Sequence, residues 1–435
     1  MILPSCCAKL IIWFHATYHA ITAISAVPFL ACEKKFMCSI EAECLRLIAE
    51  TAVPGIASAI IRGGRLERYL CYGIRGAQVP DPVDEHTVFD AASLSKPVFA
   101  HAVLQLADQE HLSLDAPLGG YLPSYVPTDP LVSSITARHV LNHSAGLPNW
   151  RNADLPLKTY FQPGERFSYS GEGFLYLQKS VEAITGERMH SVVERLVLRP
   201  FGMDRSSFVW DWRFEPNRAY PHDAFGRPSL GGKPGEGNAA GSLQTTAADF
   251  ARFLLRVLDG SGLRPETARS WLSPHIHVRH AKPQCLVSSD ETTTGVAWGL
   301  GWGLEPEEET FFHWGDNGAY KAFAIGSLRS RDALVFFMNG ASGLSIMPDL
   351  VAAFMPGDRP SLAWLDYGRH DSAIRRLLHA ARVHGVKSVW QEIQNASLGA
   401  DDLLWIARGL TASGDDEDST WLRAWIEERR PTSMG

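Results

Sequence analysis

"FDAASLSKPVFA", residues 89–100, places two serines and a lysine among apolar residues at the start of a helical pattern. The run continues as "VFAHAVLQLADQEHLSLD", with Val98, Val103, Leu104 and Leu106 at helical spacing. Ser93 and Lys96 are three residues apart, so their side chains leave one face of that helix. Pro97 is awkward in a helix interior, which predicts a tight or irregular first turn. A serine hydroxyl is a weak nucleophile until a neighbour accepts its proton. A lysine does so only when neutral, a state that desolvation or nearby positive charge brings about. Taken alone, the Ser-x-x-Lys pair is a short motif that chance also supplies, and Lys96 then reads as a solvated side chain.

Working outward, "SIEAECLRLIAETAVPG" from Ser39 aligns Ile40, Cys44, Leu47 and Ile48 on one helical face. "GIASAIIRGGRLERYLCYGI" reads as two strands hinged at Gly63-Gly64. Helical stretches and Pro/Gly-rich loops fill residues 110 to 290, and strand patterns return from "GVAWGLGWGL" to "DALVFFMNGA". Strands at both ends with helices between them predict an α+β fold, an antiparallel sheet flanked by helices with an inserted, mostly helical subdomain. Beyond Arg359 come short helices, with Asp371 and Asp401 as caps, that form a C-terminal helical extension. The chain therefore divides into a leader (1–37), a main domain (38–358) and the extension (359–435), which predicts that loss of the extension costs little activity.

A net charge of −7 and the absence of a basic cluster argue against nucleic acid as a partner. The seven cysteines lack metal-ligand spacing and suggest packed thiols. Residues 1–36 are apolar but broken by His15 and His19. They read either as an export signal, as an upstream stretch before a true start at Met37, or as a membrane anchor. The first reading implies export and the second a cytoplasmic protein. His139 and His143 have the spacing of a zinc pair, but "HVLNH" lacks the glutamate of HExxH, so a hydrogen-bonded core role is expected and no metal is called. "GDDEDS" reads as a solvated turn, and Trp298, Trp302 and Trp314 as core.

Two further stretches supply partners for Ser93. "PGERFSYSGEGFLYLQ" places Tyr169 in Tyr-Ser-Gly, and "FFHWGDNGAYKAF" places His313 in His-Trp-Gly. No GxSxG elbow competes. The order Ser-x-x-Lys, Tyr-x-x, then a basic residue-x-Gly resembles the serine β-lactamase/DD-peptidase superfamily, with its class C β-lactamases, peptidases and esterases. "ITARHVLNHSAGLP", "AAGSLQTTAADFARFLL" and "WGLGWGL" resemble further family segments, in family order, over about residues 40 to 355.

The resemblance implies a cofactor-free serine hydrolase acting on a small ester or amide through an acyl-serine. Ser93 would be the nucleophile, Lys96 its base, Tyr169 a proton relay, and His313 a group orienting Tyr169 and substrate. The backbone N–H groups of Ser93 and Asp316 would form the oxyanion hole, and Gly315 would let substrate approach the strand. One position departs from the pattern: Gly171 stands where relatives usually carry asparagine, which puts lactam and peptide hydrolysis in doubt more than ester hydrolysis. Glu172 beside it is a candidate substrate contact. Arg166 and Lys321 are candidates for holding a substrate carboxylate. Acyl transfer with the same residues, or a weakly catalytic binding protein whose cleft or helical tail holds a partner, are the alternatives.

Overall fold

The computed structural model describes residues 39–429 except 52, 124, 127 and 288–290, so the readings of the leader lie outside the described residues. Eleven strands are placed: β1 (Gly55–Arg62), β2 (Arg65–Gly76), β3 (Val79–Pro82), β4 (Phe89–Asp90), β5 (Gln244–Thr245), β6 (Ile276–His277), β7 (Ala297–Trp298), β8 (Gly303–Glu305), β9 (Thr310–Asp316), β10 (Lys321–Ser327) and β11 (Asp332–Met338). Nine of them form one antiparallel sheet in the order β3-β2-β1-β11-β10-β9-β8-β7-β6. Gly63 and Gly64 both have positive φ (54° and 75°), as a two-residue hairpin turn matched to the strand twist requires. The central β1–β11 pairing joins the two ends of the main domain, so neither half completes the sheet alone.

Alternation along the strands sorts side chains into two cores. Ala57, Ala59, Ala322, Ala324 and Ala333 face one side, with the helix Ser95–Asp108 and the inserted helices. Phe312, Phe323, Ile325, Leu334 and Phe336 face the other, with the helices Ser39–Glu50 and Met347–Phe354. Small residues on the first face let the helices approach closely, and aromatic residues fill the second. Both faces are covered, which explains why these antiparallel strands read as nearly continuous apolar runs. The helix Ser95–Asp108 is buried around almost its whole circumference, because sheet and insertion enclose it. The two-stranded ladder β4–β5 ties the Ser93 turn to the 239–245 loop.

The extension does not behave as one body. The helices Ala373–His384, Trp390–Asn395, Ala400–Ala412 and Asp416–Arg429 pack around their own core of Leu377, Ile393, Ile406, Leu410 and Leu422. The helix Pro360–Leu365 instead sends Trp364 and Leu365 into the core behind the sheet. Packing thus changes hands between Tyr367 and Ile374, later than the composition shift at 359. Two caps also move: Ser372 precedes its helix without a side-chain cap, and Asp402 rather than Asp401 receives the Gly399 N–H. The acidic run at 415–418 opens the last helix, where negative charge suits the helix dipole and Asp418 accepts the Val386 N–H.

Candidate active site

Ser93 lies on a tight 3₁₀ turn, Ala92–Leu94, that runs directly into the helix Ser95–Asp108. The irregular first turn predicted from Pro97 is this 3₁₀ turn. Ala92 takes φ +48°, a left-handed conformation that costs a residue with a Cβ about 1–3 kcal/mol. Ser95 braces it: its hydroxyl donates to the Ala92 carbonyl at 2.5 Å and accepts the Leu243 N–H at 2.9 Å. The two serines of the opening stretch therefore divide their work, Ser93 open to the cleft and Ser95 fully buried.

Lys96 is 0% exposed, and its Nζ lies 3.0 Å from Ser93 Oγ and 2.7 Å from the Ala240 carbonyl. No carboxylate among the described residues pairs with it, and burial pushes its pKa well below the ordinary lysine range. Lys96 Nζ donates to both Ser93 Oγ and Ala240 O, and the Ser93 O–H reaches Ala240 O at 3.4 Å; a lysine that burial disposes to the neutral form is placed to take that proton in turn. The solvated reading of Lys96 is excluded by its burial.

Tyr169 is delivered by the next helix. Ser170 is the N-cap of Gly171–Thr185, its hydroxyl accepting the Gly173 N–H at 2.9 Å and donating to Pro148 O at 2.8 Å. This holds the Tyr169 ring 4.8 Å from Lys96 Nζ. The phenol is buried beside Ser93 without a hydrogen bond of ordinary geometry, and burial raises its pKa. It is therefore protonated at neutral pH.

His313 is fully buried in β9, walled by Trp298, Trp302 and Trp314. Its Nδ1–H donates to the Trp314 carbonyl at 2.8 Å, so Nε2 carries the lone pair, and no atom of the described residues satisfies it. Burial, with the nearby Lys96, lowers its pKa to about 3. His313 is a neutral acceptor here and supplies no positive charge to a substrate. The three tryptophans are core, as expected, and they are also what desolvates this histidine.

The other candidates are used differently from their sequence reading. At Gly315 an added Cβ would lie 2.4 Å from Ala91 O, so this glycine admits the backbone of the Ser93 loop against β9. At Gly171 an added Cβ would lie 2.7 Å from the Trp150 ring, and the Gly171 N–H donates to Asn149 Oδ1 at 2.9 Å. Trp150, 45% exposed, thus fills the volume an asparagine would need. Glu172 is 2% exposed and its carboxylate is held by Arg151, with Nε at 2.8 Å, so it anchors the 149–151 loop rather than facing substrate. Both cationic candidates are committed: Lys321 pairs with Asp316, and Arg166 binds Glu165 and Leu286 O.

Sequence reading placed His143 in the core but not at the site, where its ring stacks on Tyr169 with centroids 4.3 Å apart. Its Nδ1 accepts the Ser170 N–H at 3.0 Å, and its φ is +58°. His139 Nδ1 meets the Thr136 N–H at 3.3 Å, so both histidines hold backbone, as the core reading expected. It also missed Tyr367 and Trp364. Trp364 packs on Trp298 and Trp314 and donates to His280 O at 3.0 Å, while Tyr367 faces Asp316. Only the position of His143 within a family-like segment hinted at its place here.

Comparison with known proteins gives the family and the fold. Residues 40–351 match the family described as Beta-lactamase. The chain is 27% identical over 313 residues to Esterase EstB of Burkholderia gladioli, covering 59% of this chain and 76% of that protein. It is 24% identical to Penicillin-binding protein 4* of Bacillus subtilis (strain 168), covering 64% and 66%. Its fold matches an octameric penicillin-binding protein homologue from Pyrococcus abyssi with a TM-score of 0.64 at 22% identity, over 78% of this chain and 80% of that one. With the motif order, the sheet and these matches in agreement, the chain belongs to the Beta-lactamase family and is a serine hydrolase of that family.

Proposed function

We propose that the chain hydrolyses small carboxylic esters whose acyl part carries no carboxylate, through an acyl-enzyme on Ser93. The observation that carries this reading is the 3.0 Å contact between Ser93 Oγ and a fully buried Lys96 with no carboxylate partner among the described residues. Ser93 Oγ attacks the ester carbonyl carbon as its proton passes to Lys96 Nζ. The backbone N–H groups of Ser93 and Asp316 hold the resulting oxyanion, each worth about 2.7–4 kcal/mol. The C–O bond to the alcohol then breaks, and the alkoxide takes the proton from Lys96 by way of the Tyr169 hydroxyl. Water attacks the acyl-serine by the reverse relay and releases the acid. His313 packs with its ring centroid 6.1 Å from that of Tyr169 and leaves Nε2 as an acceptor, unsatisfied among the described residues, in the wall beside it.

Three features support esters over β-lactams. Gly171 contributes no side-chain amide, His313 is uncharged, and Lys321 and Arg166 are already paired. Intact mass after brief exposure to an activated ester, and separately to a penicillin, tests the reading. The expected result is an acyl increment with the ester, little with penicillin, and none in Ser93→Ala. No increment and no turnover with either compound would overturn it in favour of a binding protein.

A further inference from the structure

Asp90 ends β4, three residues before Ser93, and lies opposite Gln244 of β5. Its Oδ1 accepts the Ala92 N–H at 2.8 Å. The side-chain amide of Asn317 donates to the same carboxylate, at 2.9 Å to Oδ1 and 3.1 Å to Oδ2. That amide also donates to Gly241 O at 3.0 Å. Each partner adjoins a residue of the reaction: Ala92 precedes Ser93, Asn317 follows Asp316, and Gly241 follows Ala240, the acceptor for Lys96.

This arrangement is costly. Ala92 is left-handed, and the N–H of that strained residue is the one Asp90 receives. No cation pairs with Asp90 among the described residues, and enclosure by protein pushes its carboxyl pKa up to about 6. Strain and a poorly solvated charge at one point are characteristic of functional sites. A carboxylate is also the group the geometry needs. It offers acceptor positions on both oxygens to the two donors, whereas an asparagine would set one N–H₂ against that of Asn317.

We propose that Asp90 and Asn317 form a clamp across the cleft that sets the separation of the Ser93 and Asp316 backbone N–H groups, making them positioning residues for the oxyanion. The clamp rests on the acyl-serine reading above. It acts on the tetrahedral species, in which negative charge develops on oxygen, and much less on bound ester.

The test uses Asp90→Asn, Asn317→Ala and their combination in the full chain, with an activated ester as substrate and an aryl boronic acid as tetrahedral probe. Each single variant should lower kcat about tenfold or more, less than outright loss of an oxyanion donor at about 10²–10³. KM should stay within about threefold, and boronate affinity should fall in parallel with kcat. The double variant should be little worse than the poorer single one, because both break the Asp90–Asn317 link. Asn317 is exposed, so Asn317→Ala keeps the test decisive if Asp90→Asn fails to fold. Wild-type kcat in Asn317→Ala, unchanged boronate affinity beside a reduced kcat, or multiplying effects in the double variant would overturn the clamp. Ser93→Ala separates the two ideas: turnover that survives it removes the acyl-serine reading itself, whereas turnover lost there but intact in Asn317→Ala removes the clamp alone.

Discussion

Gly171 illustrates how one missing side chain is tied to a neighbour. Its absent Cβ is replaced by the Trp150 ring, and its N–H is held by Asn149. Gly171→Asn should therefore not create a lactamase. Forcing a side chain into that volume should cost about 1–3 kcal/mol, seen as a lower thermal midpoint, with no gain in penicillin turnover. Adding Trp150→Ala should restore most of the midpoint. A stable Gly171→Asn single variant that hydrolyses penicillin would refute this account. The family position at 171 was legible from sequence, but the occupant of the empty volume was not, because Trp150 lies 21 residues away on another loop.

At the scale of the element, the helix Ser95–Asp108 illustrates burial acting on titration. His101 on its inner face accepts Gln105 Nε2–H at Nδ1 (3.0 Å), donates from Nε2 to Ser261 O (3.1 Å), and is fully buried. Desolvation lowers its pKa to about 4. Between pH 4 and 6.5 the unfolded chain binds this proton and the folded chain does not, so stability rises with pH across that window and is lost as pH falls. His313, lowered to about 3, and His143, also lowered, act in the same sense. Asp90, raised to about 6, opposes them, since its folded form holds the proton more tightly. The histidines should prevail, and the thermal midpoint should drop steadily from pH 6.5 to 4. His101 alone accounts for about 3 kcal/mol at about 1.36 kcal/mol per pH unit. In His101→Gln the slope should be shallower; a midpoint independent of pH in the parent chain would contradict the assignment. Helical periodicity placed this element correctly, yet its burial on all sides was not legible, since sheet and insertion meet around it only after folding.

For the whole molecule, the boundary that matters for function is where packing changes hands. A chain ended after Asp358 loses Trp364, whose ring closes the aromatic wall behind Trp298, Trp314 and His313. Such a chain should lose most of its turnover of an activated ester or fail to stay soluble. A chain ended after Ser372 keeps the helix Pro360–Leu365 and discards only helices with their own core, so it should keep kcat within about twofold. Equal activity from the two truncations would show that the wall is dispensable. Composition placed the break at 359 because helical spacing starts there, but the pattern of a short amphipathic helix does not say which core it enters.

What the sequence determined by itself was local or ordered along the chain. The Gly63-Gly64 hairpin follows from backbone freedom, the Ser93–Lys96 pairing from helical spacing, and the fold from the order of the Ser, Tyr and His segments. Tertiary structure alone decided the environment of each group. Lys96 has no carboxylate partner among the described residues, His313 is uncharged, Trp150 occupies the space above Gly171, and Asp90 reaches Asn317 across 227 residues. The physical reason is common to all four: desolvation, packing volume and hydrogen-bond satisfaction depend on residues brought together from distant parts of the chain.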